Sequence, residues 1–333
     1  MPEPITTSTA APTVRTHRFR AMACDVTVQL VGVGTDEATA AVNRVAGLFG
    51  EVESACTRFD PRSPLMVANA SPRRWHQVPD SCSEAIREAH EAYRISGGLF
   101  DPRVLRCLQV NGYDRSLPFS DGDVLVEGRG PGSVRPDRRR WRPRFDDHRG
   151  RVRLGPAPID LGGIGKGLAV RWAMTALEGC GSSVMVEAGG DLATRGAGPE
   201  DTGWRAAVED PLVPAGAPQR HPVAVLNVSD RAVATSSIRL RTWRVGGKVV
   251  HHLIDPRTAR PATTGLASVT VIHADPGWAE VWSKSLFVLG AGDIAAYTIA
   301  KGLAAVWVED SGRVRVSPAA RDHVLWQVDH AGS

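Results

Sequence analysis

Apolar positions recur along this chain with two different periods, and the switches between them mark out its elements. In HRFRAMACDVTVQLVG, Val26, Val28 and Leu30 alternate with polar neighbours and predict a strand. Thr35 and Asp36 then offer an N-cap, and Val42, Val45, Ala46, Phe49 and Val52 follow at helical spacing, predicting a helix through about Ala55. A loop is expected over Phe59 to Ala70. A second helix is predicted from about Ser81 to Ser96, with Ile86, Ala89, Tyr93 and Ile95 as its apolar positions. Gly97 and Gly98 stop it, because glycine accepts the left-handed geometry of a helix end. The glycine-rich IDLGGIGKG opens a third helix that ends near Gly179. Short strands are then predicted in SSVMVEAGG, WRAAVED, PVAVLNVS, AVATSS, TWRVGGKVVHHLI and ASVTVIHA. Two helices follow, Gly277 to Leu289 and Asp293 to Lys301. AAVWVED and VRVSP close the chain across a Ser-Gly turn. There is no internal repeat and no strict strand–helix alternation, so the fold class is α+β, a mainly antiparallel sheet with packed helices.

Composition adds boundaries. Residues 1–15 are rich in Pro, Thr and Ala and read as a disordered tail, 16–320 as a single domain and 321–333 as a C-terminal tail. Pro211 to Pro222 reads as a surface loop. With 333 residues, 42% hydrophobic and 23% charged, the chain can bury a sizeable core. The net charge of +4 is concentrated in a basic segment near residues 129–153, which reads as a solvated loop or hairpin tip. No aromatic-interleaved platform for single strands accompanies it, so nucleic acid is not an expected partner. Cys24, Cys56, Cys82, Cys107 and Cys180 are odd in number, widely spaced and without a CxxC pair. That argues against a disulfide framework or zinc site and for free thiols in a reducing compartment. No signal-peptide pattern and no run of ~18 apolar residues occurs, so a cytoplasmic protein without a membrane span is expected.

Four clusters carry candidate chemistry. In Asp160-Leu161-Gly162-Gly163-Ile164-Gly165-Lys166-Gly167, backbone N–H groups and a lysine gather at a helix start, where an anion is favoured. The same run fits a tight turn packed on a sheet, and it matches neither common nucleotide fingerprint. Glu187-Ala188-Gly189-Gly190-Asp191 closes a strand with a step that admits a flat ligand or makes a turn. His251-His252-Leu253-Ile254-Asp255-Pro256-Arg257-Thr258 places a ring that titrates near neutrality beside a turn, with His252 a candidate general base. Finally, Glu280 and Lys284 lie four apart on a predicted helix, the spacing of a surface ion pair.

The order and spacing of these clusters resemble the FAD:protein FMN transferase (ApbE) family, over about Phe19 to Pro318. IDLGGIGKG is similar to its DLGGIAKG, VEAGGD to its VNAGGD, and HHLIDPRTARP to its HIIDPRTG. ATSS and AEVWSK follow its TSG and ADALAT, and GGLFDPRV, FDPRSPLMVAN and AMACDVTVQL look like its upstream segments. The resemblance implies a T-fold-like α+β architecture that binds FAD and moves FMN onto a Thr or Ser of a partner flavoprotein, releasing AMP. Magnesium would bridge the pyrophosphate. Met22 and Phe59 would pack on the flavin and adenine parts, and Leu99, Phe100 and Asp101 would line the adenosine side. Asp160 and Lys166 would hold the ribose-pyrophosphate region, with Glu187, Thr235, Ile254 and Arg257 also beside FAD. His252 would deprotonate the acceptor hydroxyl, with Lys166 and Asp160 supporting catalysis.

The implied metal positions are the carbonyls of Gly163 and Ser283, with Glu280 and Lys284 where the family has Asp and Thr. An ammonium has donors only and cannot ligate magnesium. Either Lys284 swings away and water completes the coordination, or Lys284 pairs with Glu280 and its cation stands where the metal would be. The second is the expectation. FAD pyrophosphatase activity and FAD binding without chemistry are the alternatives to transfer.

Overall fold

The computed structural model of the chain describes residues 13–119, 124–127, 131–132, 134–213, 221–239 and 241–328. The expected tail therefore lies outside the described residues up to 12, as do residues 214–220 of the Pro-rich loop. Where a single N-terminal strand is expected, two form: β1 (Val14–Ala21) and β2 (Cys24–Val31) pair antiparallel with Ala21 opposite Cys24. Met22 and Ala23 make the turn, with φ of 51° and 56°. Left-handed conformation at both positions matches the twist of a two-residue hairpin, but it is uncommon outside Gly, Asn and Asp, so the pattern gives no turn signal there.

The helix α1 (Thr35–Cys56) buries Val42, Val45, Phe49 and Val52 as its spacing predicts. Gly34, not Thr35 or Asp36, is its N-cap, and no side chain caps it. The loop expected over 59–70 contains α2 (Pro64–Ala70), begun by Ser63, whose hydroxyl accepts the Met66 N–H at 3.2 Å. Seven residues are too short for a periodic signal, but the Ser63 cap and Pro64 in the first turn suffice. Then come β3 (His76–Gln77), α3 (Asp80–Ile95), the unpredicted α4 (Leu105–Val110), and β4 (Val124–Val126). Within the basic segment, β5 (Arg144–Asp146) and β6 (Arg151–Arg153) form a hairpin that pairs with β3. Its arginines are mostly exposed, yet Trp141 is fully buried and donates to the Leu154 carbonyl at 2.7 Å. The segment is anchored into the core, not merely solvated.

After α5 (Gly165–Ala176) come β7 (Ser183–Ala188), β8 (Asp191–Arg195), β9 (Arg205–Glu209), β10 (Pro222–Asn227) and β11 (Ala232–Ser237). They are followed by β12 (Thr242–Val245), β13 (Lys248–His251), β14 (Ile254–Asp255), β15 (Arg260–Pro261) and β16 (Leu266–His273). The chain closes with α6 (Pro276–Leu289), α7 (Ile294–Lys301), β17 (Ala304–Glu309), β18 (Val314–Val316) and β19 (Val324–Gln327). The main sheet runs β1-β2-β7-β8-β11-β16-β17-β18, and each of these pairings is antiparallel. The helices α1, α5 and α6 cover one face and the small sheet β19-β10-β9 packs on the other, so apolar side chains are buried on both sides. The ordered chain thus extends past 320, where a tail is expected. Leu325 and Trp326 in β19 are 53% and 48% exposed, so this edge strand has no buried apolar run to mark it in the sequence.

Candidate functional site

A cleft opens where the β1–β2 turn, the approach to α5, the segment after β13 and the cleft-facing side of α6 meet. Its apolar wall has a shared local cause. Three Asp-Pro-Arg tripeptides, at Asp60, Asp101 and Asp255, fold alike. In each, the arginine two residues on donates its backbone N–H and its Nε to the same Asp Oδ1, at 2.9 and 3.2 Å, 2.9 and 3.0 Å, and 2.8 and 3.0 Å respectively. Asp before Pro is a natural opener for such a side-chain-closed turn. The residue preceding each, Phe59, Phe100 and Ile254, is thereby presented to the cleft, beside Leu99 and Met22. Gly163 keeps this corner close, since a Cβ would stand 3.1 Å from the Phe100 ring and 3.4 Å from Lys284 Cδ.

The floor is a chain of alternating charges. Gly189 and Gly190, both at positive φ, turn β7 back into β8 and set Asp191 at the head of the new strand. Asp191 forms an ion pair with Lys166 and accepts the Thr235 N–H at 3.3 Å. Lys166 lies 3.5 Å from Glu280 Oε1, and Lys284 bonds the same oxygen at 3.0 Å. The other oxygen, Oε2, takes the Gly167 N–H at 2.8 Å. Gly167 makes this contact possible: a Cβ there would be 2.5 Å from the Pro276 carbonyl, so only glycine lets the start of α5 lie against α6. Glu280 is completely buried. Burial favours its neutral acid, but the charges of Lys284 and Lys166 and the Gly167 N–H outweigh that and hold it down to about 2. Burial likewise opposes the Lys166 ammonium, and Asp191 and Glu280 outweigh it, raising that pKa.

His252 also lines the cleft. Its Nδ1 is 3.4 Å from the Arg241 carbonyl, which can only accept, a contact that favours the tautomer with the proton on Nδ1 and the lone pair on Nε2. Burial, then the positive charges of Arg241 and Lys284, hold its pKa well below the usual histidine range. The ring is neutral at pH 7, as a general base must be. Arg241 also lines the cleft, and among the described residues no hydrogen bond or ion pair involves its guanidinium. Arg58, another lining residue, pairs with Asp160 at 3.3 Å and stacks over Tyr113 and Phe59, 4.0 and 4.3 Å from their ring centres. The sequence reading misses Arg58, Asp191 and Arg241. Asp191 could have been taken from its place after Gly-Gly, whereas the two arginines sit in segments with no pattern of their own.

Comparison with known proteins decides the family. The sequence model of the ApbE family matches residues 22–307. The chain belongs to the ApbE family. An FAD:protein FMN transferase of Escherichia coli K12 is 32% identical over 155 residues, 46% of this chain and 43% of that protein. The chain thus aligns with less than half the length of that relative. One from Treponema pallidum is 28% identical over 306 residues, 86% of this chain and 82% of that protein. Among solved structures, an ApbE protein from Thermotoga maritima has a TM-score of 0.72 at 24% identity, covering 93% of this chain and 99% of that one. The flavin transferase ApbE from Vibrio cholerae gives 0.73 at 19% identity, covering 94% and 99%. These two likenesses agree with the α+β fold.

Of the positions that resemble ApbE site residues, Met22, Phe59, Leu99, Phe100, Asp101, Asp160, Gly163, Lys166, His252, Ile254 and Lys284 all line the cleft. Glu280 and Ser283 lie buried beneath it, with the Ser283 hydroxyl 2.8 Å from that of Ser236. Three do not line it. Glu187 accepts the Gly190 N–H at 2.6 Å and closes the β7–β8 turn. Arg257 is spent on Asp255 and on the Val288 carbonyl, 2.7 Å away. Thr235 bonds the Thr270 hydroxyl at 2.9 Å. Asp101 faces the cleft, but its carboxylate is committed to Arg103 at 2.6 Å. The residues at the ApbE metal position do not fit a divalent ion. Both oxygens of Glu280 are engaged, and Lys284 has no lone pair to give. No group of three His, Cys, Asp or Glu suited to a metal exists among the described residues. Each unit charge brought to about 4 Å from an ammonium costs roughly 4 kcal/mol at an effective dielectric near 20, and a divalent ion about twice that.

Proposed function

We propose that this chain is an FAD:protein FMN transferase. The observation that carries this reading is a neutral His252 in the same cleft as the cations Lys166, Lys284 and Arg241 and an apolar wall that includes Met22, Phe59, Leu99, Phe100 and Ile254. A dinucleotide with a flat apolar ring system and a diphosphate matches that pairing of surfaces. The acceptor is a Ser or Thr on another protein. Its hydroxyl oxygen attacks the phosphorus on the FMN side of the diphosphate and passes its proton to His252 Nε2. The new O–P bond replaces the P–O bond to AMP, which leaves with the bridging oxygen. Alignment and charge neutralisation do most of the work in such a transfer, with the base adding to them. Among the described residues no helix is long and apolar enough to cross a membrane, and the five cysteines are unbridged. A cytoplasmic acceptor suits those free thiols.

The test uses purified protein, FAD and a peptide carrying a D-x-x-S/T-G-A-T segment. The expected result is a gain of the FMN moiety in the intact mass of the peptide, on Ser or Thr, together with AMP. Free FMN and AMP with an unmodified peptide would make it a pyrophosphatase, and bound FAD left whole would make it a binding protein.

A further inference from the structure

The arrangement around Glu280 points to a built-in substitute for a divalent cation. We propose that the Lys284 ammonium, tethered by the buried Glu280, neutralises the diphosphate of the substrate, so that this chain binds it without any metal ion. This rests on the FAD reading above.

Glu280 is a tether by placement, not a ligand. It is fully buried, and its two oxygens are divided between the Gly167 N–H at 2.8 Å and the Lys284 ammonium at 3.0 Å, with Lys166 at 3.5 Å. An ammonium carries three N–H donors. Lys284 uses one on Glu280, and its side chain lies against Gly163 and lines the cleft, which leaves two for a ligand. Lys166 is more committed, to Asp191 and Glu280. The charges of Lys166, Lys284, Asp191 and Glu280 cancel, and Arg241 leaves the floor one positive charge in excess. An incoming diphosphate therefore meets free N–H donors on an already assembled floor with one positive charge in excess, while a divalent ion finds both Glu280 oxygens taken and an ammonium where a ligand would have to stand. Glu280 is a positioning residue in this scheme, because it acts only through Lys284.

Two readouts decide it. Manganese binding to the protein alone, followed by water-proton relaxation, should show no site for the natural chain and a new one in Lys284→Thr, where an oxygen replaces the ammonium beside Glu280. FAD affinity, followed by flavin fluorescence, should be equal within about twofold in EDTA and in magnesium. Lys284→Met, which keeps the length of the side chain without its charge, should bind FAD at least tenfold more weakly in both. Lys284→Thr should be weak in EDTA and recover with magnesium. A manganese site in the natural chain, or a tenfold loss of FAD affinity in EDTA, would overturn the proposal. Failure to bind FAD under every condition would instead sink the FAD reading, and manganese relaxation would still report on the lysine.

Discussion

At the scale of single residues, chemistry is decided by which charged groups are already spent. Asp60, Asp101 and Asp255 each close a turn on their own arginine, and what they offer the cleft is the apolar neighbour, not the carboxylate. Arg241 and His252 are the reverse: one has no partner among the described residues, the other is held neutral by its surroundings. Replacing His252 by Ala should lower transfer about 10²–10⁴-fold, the usual worth of a general base, while FAD affinity stays within a few-fold. The acid limb of kcat/KM should fall well below pH 6.5, because the base loses its proton at a depressed pKa; a limb at or above that value would remove His252 from the role. Arg241→Gln should weaken FAD binding about 10–100-fold, the worth of a charged hydrogen bond, with fluorescence titration as the check. Motif reading singles out His252, Lys166 and Ile254 because they stand in recognisable strings, and all three line the cleft. Arg257 and Glu187, from the same strings, do not line the cleft for a physical reason: the string says a charge is present, but not that it is consumed two or three residues away.

Elements place these residues, and glycine sets how closely elements approach. The start of α5 touches α6 at Gly167, and that contact brings a backbone N–H onto Glu280. Gly167→Ala should cost about 1–3 kcal/mol through overpacking, read as a lower urea midpoint. It should also weaken FAD binding, since the separation pulls Glu280 and Lys284 off the floor. The glycine-rich string reads as a phosphate cradle from sequence, yet the Ile164, Gly165 and Gly167 amides are tied to Leu161 and Glu280. Packing claims part of that motif, which a pattern of residue types does not reveal. Long periodic helices such as α1 and α3 are legible, whereas α2 and α4, of seven and six residues, are not, because one or two turns carry no period.

For the whole molecule, an antiparallel sheet is buried on both faces, and its short apolar segments separated by turn residues make that class readable from the sequence. Strand order is not readable, since β11 sits between β8 and β16 through contacts that no local pattern encodes. The buried histidines couple stability to pH. His251, His252 and His273 all have lowered pKa values, caused first by burial. Below about pH 6.5 the unfolded chain takes up protons that the folded one refuses, so stability should fall as pH drops from 7 to 5. A urea midpoint that rises over that interval would contradict this.

The central claim is that the cleft hands FMN to a protein hydroxyl and not to water. The most direct measurement is the ratio of acid-stable flavin on the acceptor to AMP released, taken at several times in one reaction. A ratio near one throughout is expected, lost together for both products in His252→Ala. AMP accumulating while the acceptor stays unlabelled would contradict it.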